Sequence, residues 1–178
     1  RISRKDNPQI LLGAFGQRWD SLDHIDASKD ETWVALDRVR DPGNLGTVMR
    51  SADAVGASGI ILIGDCTDPY SVEAVRASMG AVFNTRIIAC SELAFLQFAT
   101  GWQGRILGTT LSASIDYQKV DYKRPLILLM GNEQSGLTDN LMETCSQLIK
   151  LPMLGRSDSL NLAVATGVVL YEALARRG

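Results

Sequence analysis

The stretch Asp37–Ala57, DRVRDPGNLGTVMRSADAVGA, decides how this chain is read. It leaves the apolar run TWVALD (Thr32–Asp37), turns at Asp-Pro-Gly-Asn, and continues with Leu45, Val48, Met49, Ala52 and Val55 at helical spacing. An apolar run of this length bounded by Pro and Gly reads as a buried strand, and the spacing that follows reads as an amphipathic helix. Pro42 and Gly43 form the turn, and Asn44 stands at or beside the helix start, where its side chain can cap the helix or face a polar ligand. Arg50, about two turns on, is the only basic side chain of that helix.

The alternation repeats outward from this point. SGIILIGD, NTRIIAC, GRILGTT, RPLILLMGNE and QLIKLPM read as strands. SVEAVRASMGA, SELAFLQFAT, DNLMETCS and SLNLAVATGVVLYEALARRG read as helices. In the first of these, Val72, Val75 and Met79 align and Ser71 is the expected N-cap. The expected fold is α/β, with a mostly parallel sheet of about six strands between helices, because strands buried on both faces lose the alternation of a half-exposed sheet. In such sheets ligands sit beyond the carboxyl ends of the strands. That selects the loops Arg38–Asn44, Gly108–Leu111, Gly131–Gly136 and Met153–Ser159.

Length and composition narrow the class. The 178 residues suffice for one well-buried domain, and 46% apolar with 21% charged residues is globular composition. No run of about 18 apolar residues exists to span a bilayer. The net charge of −2 gives no basic excess, so nucleic-acid binding would need a local basic patch or help from residues elsewhere. Cys66, Cys90 and Cys145 form no CxxC pair and read as reduced, buried thiols of a cytosolic protein. The single histidine, His24, lies in a polar stretch without ligand partners, so no metal site is expected. The chain lacks GxGxxG, GxxxxGK[ST] and GxSxG, which argues against a dinucleotide fold, a P-loop and a serine hydrolase.

Each selected loop carries polar groups. Gly131 and Gly136 bracket Asn132, Glu133, Gln134 and Ser135, a pattern that lets a ligand approach the backbone, or a plain turn into a helix capped by Thr138 or Asp139. Pro152 and Gly155 punctuate a loop with Arg156 and Asp158, and Ser159 and Asn161 stand at the start of the last helix. Thr109 and Thr110 end a strand on the same side.

Three segments in order resemble the SpoU (TrmH-type) family of RNA 2′-O-ribose methyltransferases. DPGNLGTVMRSADAVGA resembles its Asn…Arg motif, GNEQSGL its G-x-E-x-x-G-L motif, and LPMLGRSDSLNLAVATGVVLYE its P-M-x-G-x-x-x-S-L-N motif and closing helix. The match runs over about residues 32–178. The resemblance implies a deep trefoil knot at the carboxyl end, S-adenosylmethionine as methyl donor, and ribosomal or transfer RNA as acceptor. It implies a cytoplasmic homodimer with its active site near the subunit interface. By motif position, Asn44, Arg50, Glu133, Ser159 and Asn161 would form the catalytic and RNA-positioning set. Thr109, Gly131, Leu151 and Leu160 would contact the cofactor. Residues 1–31 would be a linker, or the end of an N-terminal RNA-binding domain, and RKDNPQILLGAF could add a strand. The alternative expectation is a catalytically silent RNA- or nucleotide-binding module of the same fold.

Overall fold

The computed structural model describes residues 13–176. Seven parallel strands form one sheet: β1 (Thr32–Asp37), β2 (Gly59–Ile63), β3 (Arg86–Cys90), β4 (Arg105–Thr109), β5 (Ile115–Asp116), β6 (Leu126–Met130) and β7 (Gln147–Lys150), in the spatial order β3-β2-β1-β6-β4-β7-β5. The sequence expectation of about six strands misses β5, whose two residues carry no periodicity. The proposed strand over RKDNPQILLGAF falls mostly outside the described residues, and Gly13–Phe15 are not in a strand.

Every residue of β1, β2 and β6 is buried, as two-sided coverage requires. Alternate side chains enter two separate cores. Val34, Leu36, Leu62 and Leu128 join helices α1 (Pro42–Ala54) and α5 (Leu162–Ala175) on one face. Trp33, Ala35, Ile61 and Leu129 join α3 (Glu92–Gly101) and α4 (Asp139–Glu143) on the other. Burying a leucine or isoleucine in this way contributes about 1.5–3 kcal/mol each, so the central strands hold the layers together.

Helix α1 buries Leu45, Val48, Met49 and Ala52 as the pattern predicts. The structure decides between the two roles open to Asn44. Asp41, not Asn44, is the N-cap, and its carboxylate accepts the Asn44 N–H at 2.6 Å, with Pro42 in the first turn. The Asn44 side chain is thereby left for other work.

Helix α2 (Val72–Ala77) is capped by Ser71 as expected, but of the three aligned residues only Val75 packs, partly buried, against the core. Ala74 is its buried residue, whereas Val72 and Met79 are exposed. The reason is the close crossing of α1 and α2. A Cβ at Gly46 would lie 2.4 Å from the Ala74 carbonyl oxygen and 2.5 Å from the Ala77 Cβ. Only small residues fit that contact, and Val72 lies outward.

The segment before β1 lies against the sheet edge. Asp20 donates its N–H to the Ile87 carbonyl at 2.8 Å and bridges Ile88 in parallel. Its carboxylate accepts from Arg86 Nε at 2.7 Å and from the Ser21 N–H at 2.8 Å, and pairs with His24 Nδ1 at 2.7 Å. Leu22 and Ile25 then pack on the second core. Burial alone would raise the Asp20 pKa, but hydrogen bonds from Arg86, His24 and Ser21 outweigh it and bring it to about 2.

Two outcomes follow from these contacts. Gly46→Ala, a substitution that helix propensity alone would favour by about 1 kcal/mol, will instead destabilise the fold by about 1–3 kcal/mol in urea unfolding. Asp20→Asn will cost about 1–2 kcal/mol at pH 7. A carboxylate with a depressed native pKa stabilises above its unfolded value of about 3.9 and loses that contribution as pH falls through about 2. The gap between wild type and Asp20→Asn, measured by unfolding at a series of pH values, will therefore close below pH 4.

Candidate active site

The loops leaving β1 and β6 adjoin because these strands are neighbours although far apart in sequence. At their meeting point Arg38, at φ +48°, grips the buried carboxylate of Asp37 through two hydrogen bonds of 2.8 Å. Its carbonyl oxygen accepts from Asn132 Nδ2 at 2.7 Å. The other end of that amide, Oδ1, accepts the N–H groups of Gln134 and Ser135 at 2.9 and 3.1 Å. Asn132 and Gly136 exchange backbone hydrogen bonds of 3.1 and 3.0 Å, and Gly136 takes φ +67° to close the turn. A Cβ on Gly131 would meet the Gly136 and Leu137 backbone at 2.6 Å. The loop 131–136 is thus wound tightly on itself and tied to the end of β1.

Glu133 projects from this loop and accepts a hydrogen bond from Asn44 Nδ2 at 3.2 Å. Asn44 Oδ1 in turn accepts from Asn161 Nδ2 at 2.8 Å. Asn161 is the N-cap of α5, its Oδ1 accepting the Ala163 and Val164 N–H groups at 2.9 and 3.3 Å. Of the two polar residues at the start of the last helix, Asn161 and not Ser159 is therefore the cap. Each amide has one orientation that satisfies both neighbours: the helix N–H groups fix Asn161, Asn161 fixes Asn44, and Asn44 presents its donor to Glu133.

These groups line a cavity of about 770 Å³ at the carboxyl end of the sheet. Its wall contains Asn44, Glu133, Ser159 and Asn161, together with Thr109, Gly131, Leu151 and Leu160. Eight of the nine residues singled out in the sequence are thus brought together. Arg50 is not: it is exposed on α1 and does not line the cavity. The roles of Asp37, Arg38 and Asn132 in shaping the loop have no sequence signature beyond their position at strand ends.

Nothing in the described site supplies a thiolate. Burial pushes the thiols of Cys66 and Cys90 up to about 11 and that of Cys145 to about 12, so all three are neutral near pH 7. Among the described residues no cluster of three or more His, Cys, Asp or Glu side chains is placed to hold a metal, and no helix is long and apolar enough to cross a membrane.

A parallel sheet with glycine, asparagine and acid side chains meeting at its carboxyl edge is a small-molecule or nucleotide-handling α/β architecture. Residues 31–171 match the sequence model of the SpoU rRNA Methylase family, and the chain belongs to that family. It is 36% identical over 180 residues to a 23S rRNA (uridine(2479)-2′-O)-methyltransferase of Streptomyces viridochromogenes, covering 98% of this chain and 63% of that protein. An AdoMet-bound rRNA methyltransferase from Sinorhizobium meliloti superimposes with a TM-score of 0.95 at 50% identity, covering 98% of this chain and 67% of the other. The SpoU methyltransferase AviRb from Streptomyces viridochromogenes, in complex with the cofactor AdoMet, gives 0.82 at 35% identity, with 90% and 66% covered. The chain spans about 52% to 63% of the length of the first three curated relatives it matches.

The double duty of Asn161 is separable. Asn161→Ala removes the cap and will lower stability by about 1 kcal/mol, whereas Asn161→Asp retains an accepting oxygen for the helix and will stay near wild type in urea unfolding. A stability loss of equal size in both would show that the bond to Asn44, and not the cap, holds α5 in place.

Proposed function

We propose that this chain transfers a methyl group from S-adenosylmethionine to a ribose 2′-hydroxyl of ribosomal or transfer RNA. The observation that carries this reading is the Glu133–Asn44–Asn161 chain, which joins the three family motifs along one wall of the cavity. The relatives named as 23S rRNA 2′-O-methyltransferases and the AdoMet-bound structures support the same chemistry.

The cavity fits the donor. Leu151, Leu160 and Met130 give it apolar surface, while Thr109 and the peptide groups beside Gly131 give it polar edges. S-adenosylmethionine supplies a methyl group already activated by a positive sulfonium sulfur. The protein's part is then to hold the acceptor oxygen in line at about 3–3.5 Å and to help its proton leave. Asn44, with both ends of its amide committed, is a fixed wall at the acceptor side, and Ser159 offers a hydroxyl to the ribose or its phosphate. Glu133 orients Asn44 through a charge-assisted hydrogen bond, and a carboxylate at that point is also the nearest base.

Arg50 completes the site from a second copy of the chain. A guanidinium is a poor base, so its role is to stabilise the developing alkoxide and to grip the neighbouring phosphate. Its position outside its own chain's cavity supports this arrangement. So does α5, where Val164, Val168 and Tyr171 stand exposed at helical spacing, an apolar stripe suited to an isologous partner. The strand order, with β7 seated between β4 and β5, supports a carboxyl end threaded as a trefoil knot. In the same reading the protein works in the cytoplasm, and the segment before β1, whose Asp20, Leu22 and Ile25 are packed onto this domain, leads in from an RNA-binding domain.

The test is transfer of labelled methyl to unmodified transcripts of 23S ribosomal RNA and of transfer RNA. Transfer to the ribose 2′-oxygen of either is the expected result. Binding of S-adenosylmethionine by calorimetry with no transfer to either would identify a silent module. Arg50→Ala will lower transfer by at least about a hundredfold while leaving the S-adenosylmethionine Kd unchanged. Mixing Arg50→Ala with Glu133→Gln protein will restore a measurable fraction of activity, because one site of each mixed dimer is intact. Failure of that mixture to recover would place Arg50 in its own chain's site.

A further inference from the structure

A second cleft of about 370 Å³ adjoins the donor cavity, and the Asn44–Glu133–Asn161 chain is the wall between them. The two differ in chemistry. The donor cavity has leucine and methionine side chains in its wall, whereas the second cleft is lined only by Arg40, Asp41, Asn44, Asn132, Glu133, Gln134 and Asn161. No apolar side chain lines it.

Charge is distributed unevenly within the cleft. Its carboxylates are already engaged: Asp41 accepts the Asn44 N–H at 2.6 Å, and Glu133 accepts Asn44 Nδ2 at 3.2 Å. Among the described residues that line it, the single cation is Arg40. That guanidinium is exposed and makes a 2.6 Å ion pair with Asp65, itself 82% exposed. A pair so open to water is weakly held and readily exchanged for another anion. A ligand entering from this side would place neutral, hydroxyl-bearing groups toward Glu133 and Asn44 and an anion toward Arg40.

Resting on the methyltransferase reading, we propose that this polar cleft seats the acceptor nucleotide and that Arg40 takes the phosphate beside the target ribose, releasing Asp65. A 2′-hydroxyl sits beside its own 3′-phosphate, so one nucleotide presents a neutral hydroxyl and an anion side by side, in the order the cleft requires. Guanidinium matches phosphate oxygens in fork geometry, which lysine cannot reproduce. Arg40 is thus a substrate-positioning residue on the 3′-phosphate, distinct from Arg50, whose phosphate is the 5′ neighbour of the same ribose. It explains how a chain of net charge −2 makes a phosphate contact at its site.

The experiment measures filter binding of transcribed 23S ribosomal RNA between 50 and 200 mM KCl, with S-adenosylmethionine affinity measured in parallel by calorimetry. Arg40→Gln will weaken RNA binding about tenfold at low salt and reduce the slope of log Kd against log salt by about 0.7–0.9, the signature of one lost phosphate contact. Its S-adenosylmethionine Kd will not change. Asp65→Asn, which frees Arg40, will bind the RNA at least as tightly as wild type. An Arg40→Gln salt slope equal to wild type, an equal loss of S-adenosylmethionine binding, or no RNA binding by wild type overturns the proposal. Failure of the function reading is separable. Loss of slope in Arg40→Gln without methyl transfer by wild type keeps the phosphate contact and rejects the activity. Transfer with an unchanged slope does the reverse.

Discussion

The site depends on a single relay of amide orientation that begins in the backbone of α5. The free N–H groups at the start of that helix can only donate, so they bind the oxygen end of the Asn161 amide. Its nitrogen must then point away and finds Asn44 Oδ1, which leaves the Asn44 nitrogen for the Glu133 carboxylate. A secondary-structure constraint is in this way converted into a fixed polarity at the cavity wall. No charged residue has to be buried to achieve it, and no link has two equally good states.

That relay needs three loops at one edge of the sheet, and the sheet delivers them through strand order. β1 and β6 are adjacent and in register from Thr32 opposite Leu126 to Leu36 opposite Met130. Their carboxyl ends are therefore level, and Asp37–Arg38 can reach across to Asn132 and Gly136. The rigidity comes from burial on both faces, since neither strand can slip by one residue without exchanging the contents of two cores. The Arg38–Asp37 pair secures the outermost end, where hydrophobic coverage stops.

The sequence made the site more legible than some of the packing. The loops that hold Asn44, Glu133 and Ser159 are readable as glycine-punctuated ends of apolar strands, where a polar residue has no core to join; joining these residues with Asn161 into one set rests on the family resemblance. Asn132 stood in the same loop, yet its role depends on the Arg38 carbonyl 94 positions away, and no local pattern encodes that distance. β5 was missed because two residues have no period. The inward face of α2 is rotated from the expected one because hydrophobicity favours Val72, whereas the Gly46 crossing selects by size. Of the two roles readable for Asn44, the cap falls to Asp41, a competition between nearby cap residues that composition cannot resolve. The exposed position of Arg50 is legible only as helix phase, and the proposed completion of the site by a second chain would leave no mark on one.

The chemistry proposed for this pocket is consistent with what it lacks as a proton relay. The only histidine of the chain is His24, and it is spent on Asp20 at the opposite edge strand, holding the entry segment to β3. The three thiols stay neutral through burial. A reaction limited by generating a strong nucleophile would require a tuned base near neutral pH. A reaction whose electrophile arrives already charged requires mainly distance and alignment, which is what rigid amides and tight glycine turns provide. On the proposed reading the rigid walls hold the donor, and Arg40 and Arg50, exposed and outside the larger cavity, are open to an anionic polymer.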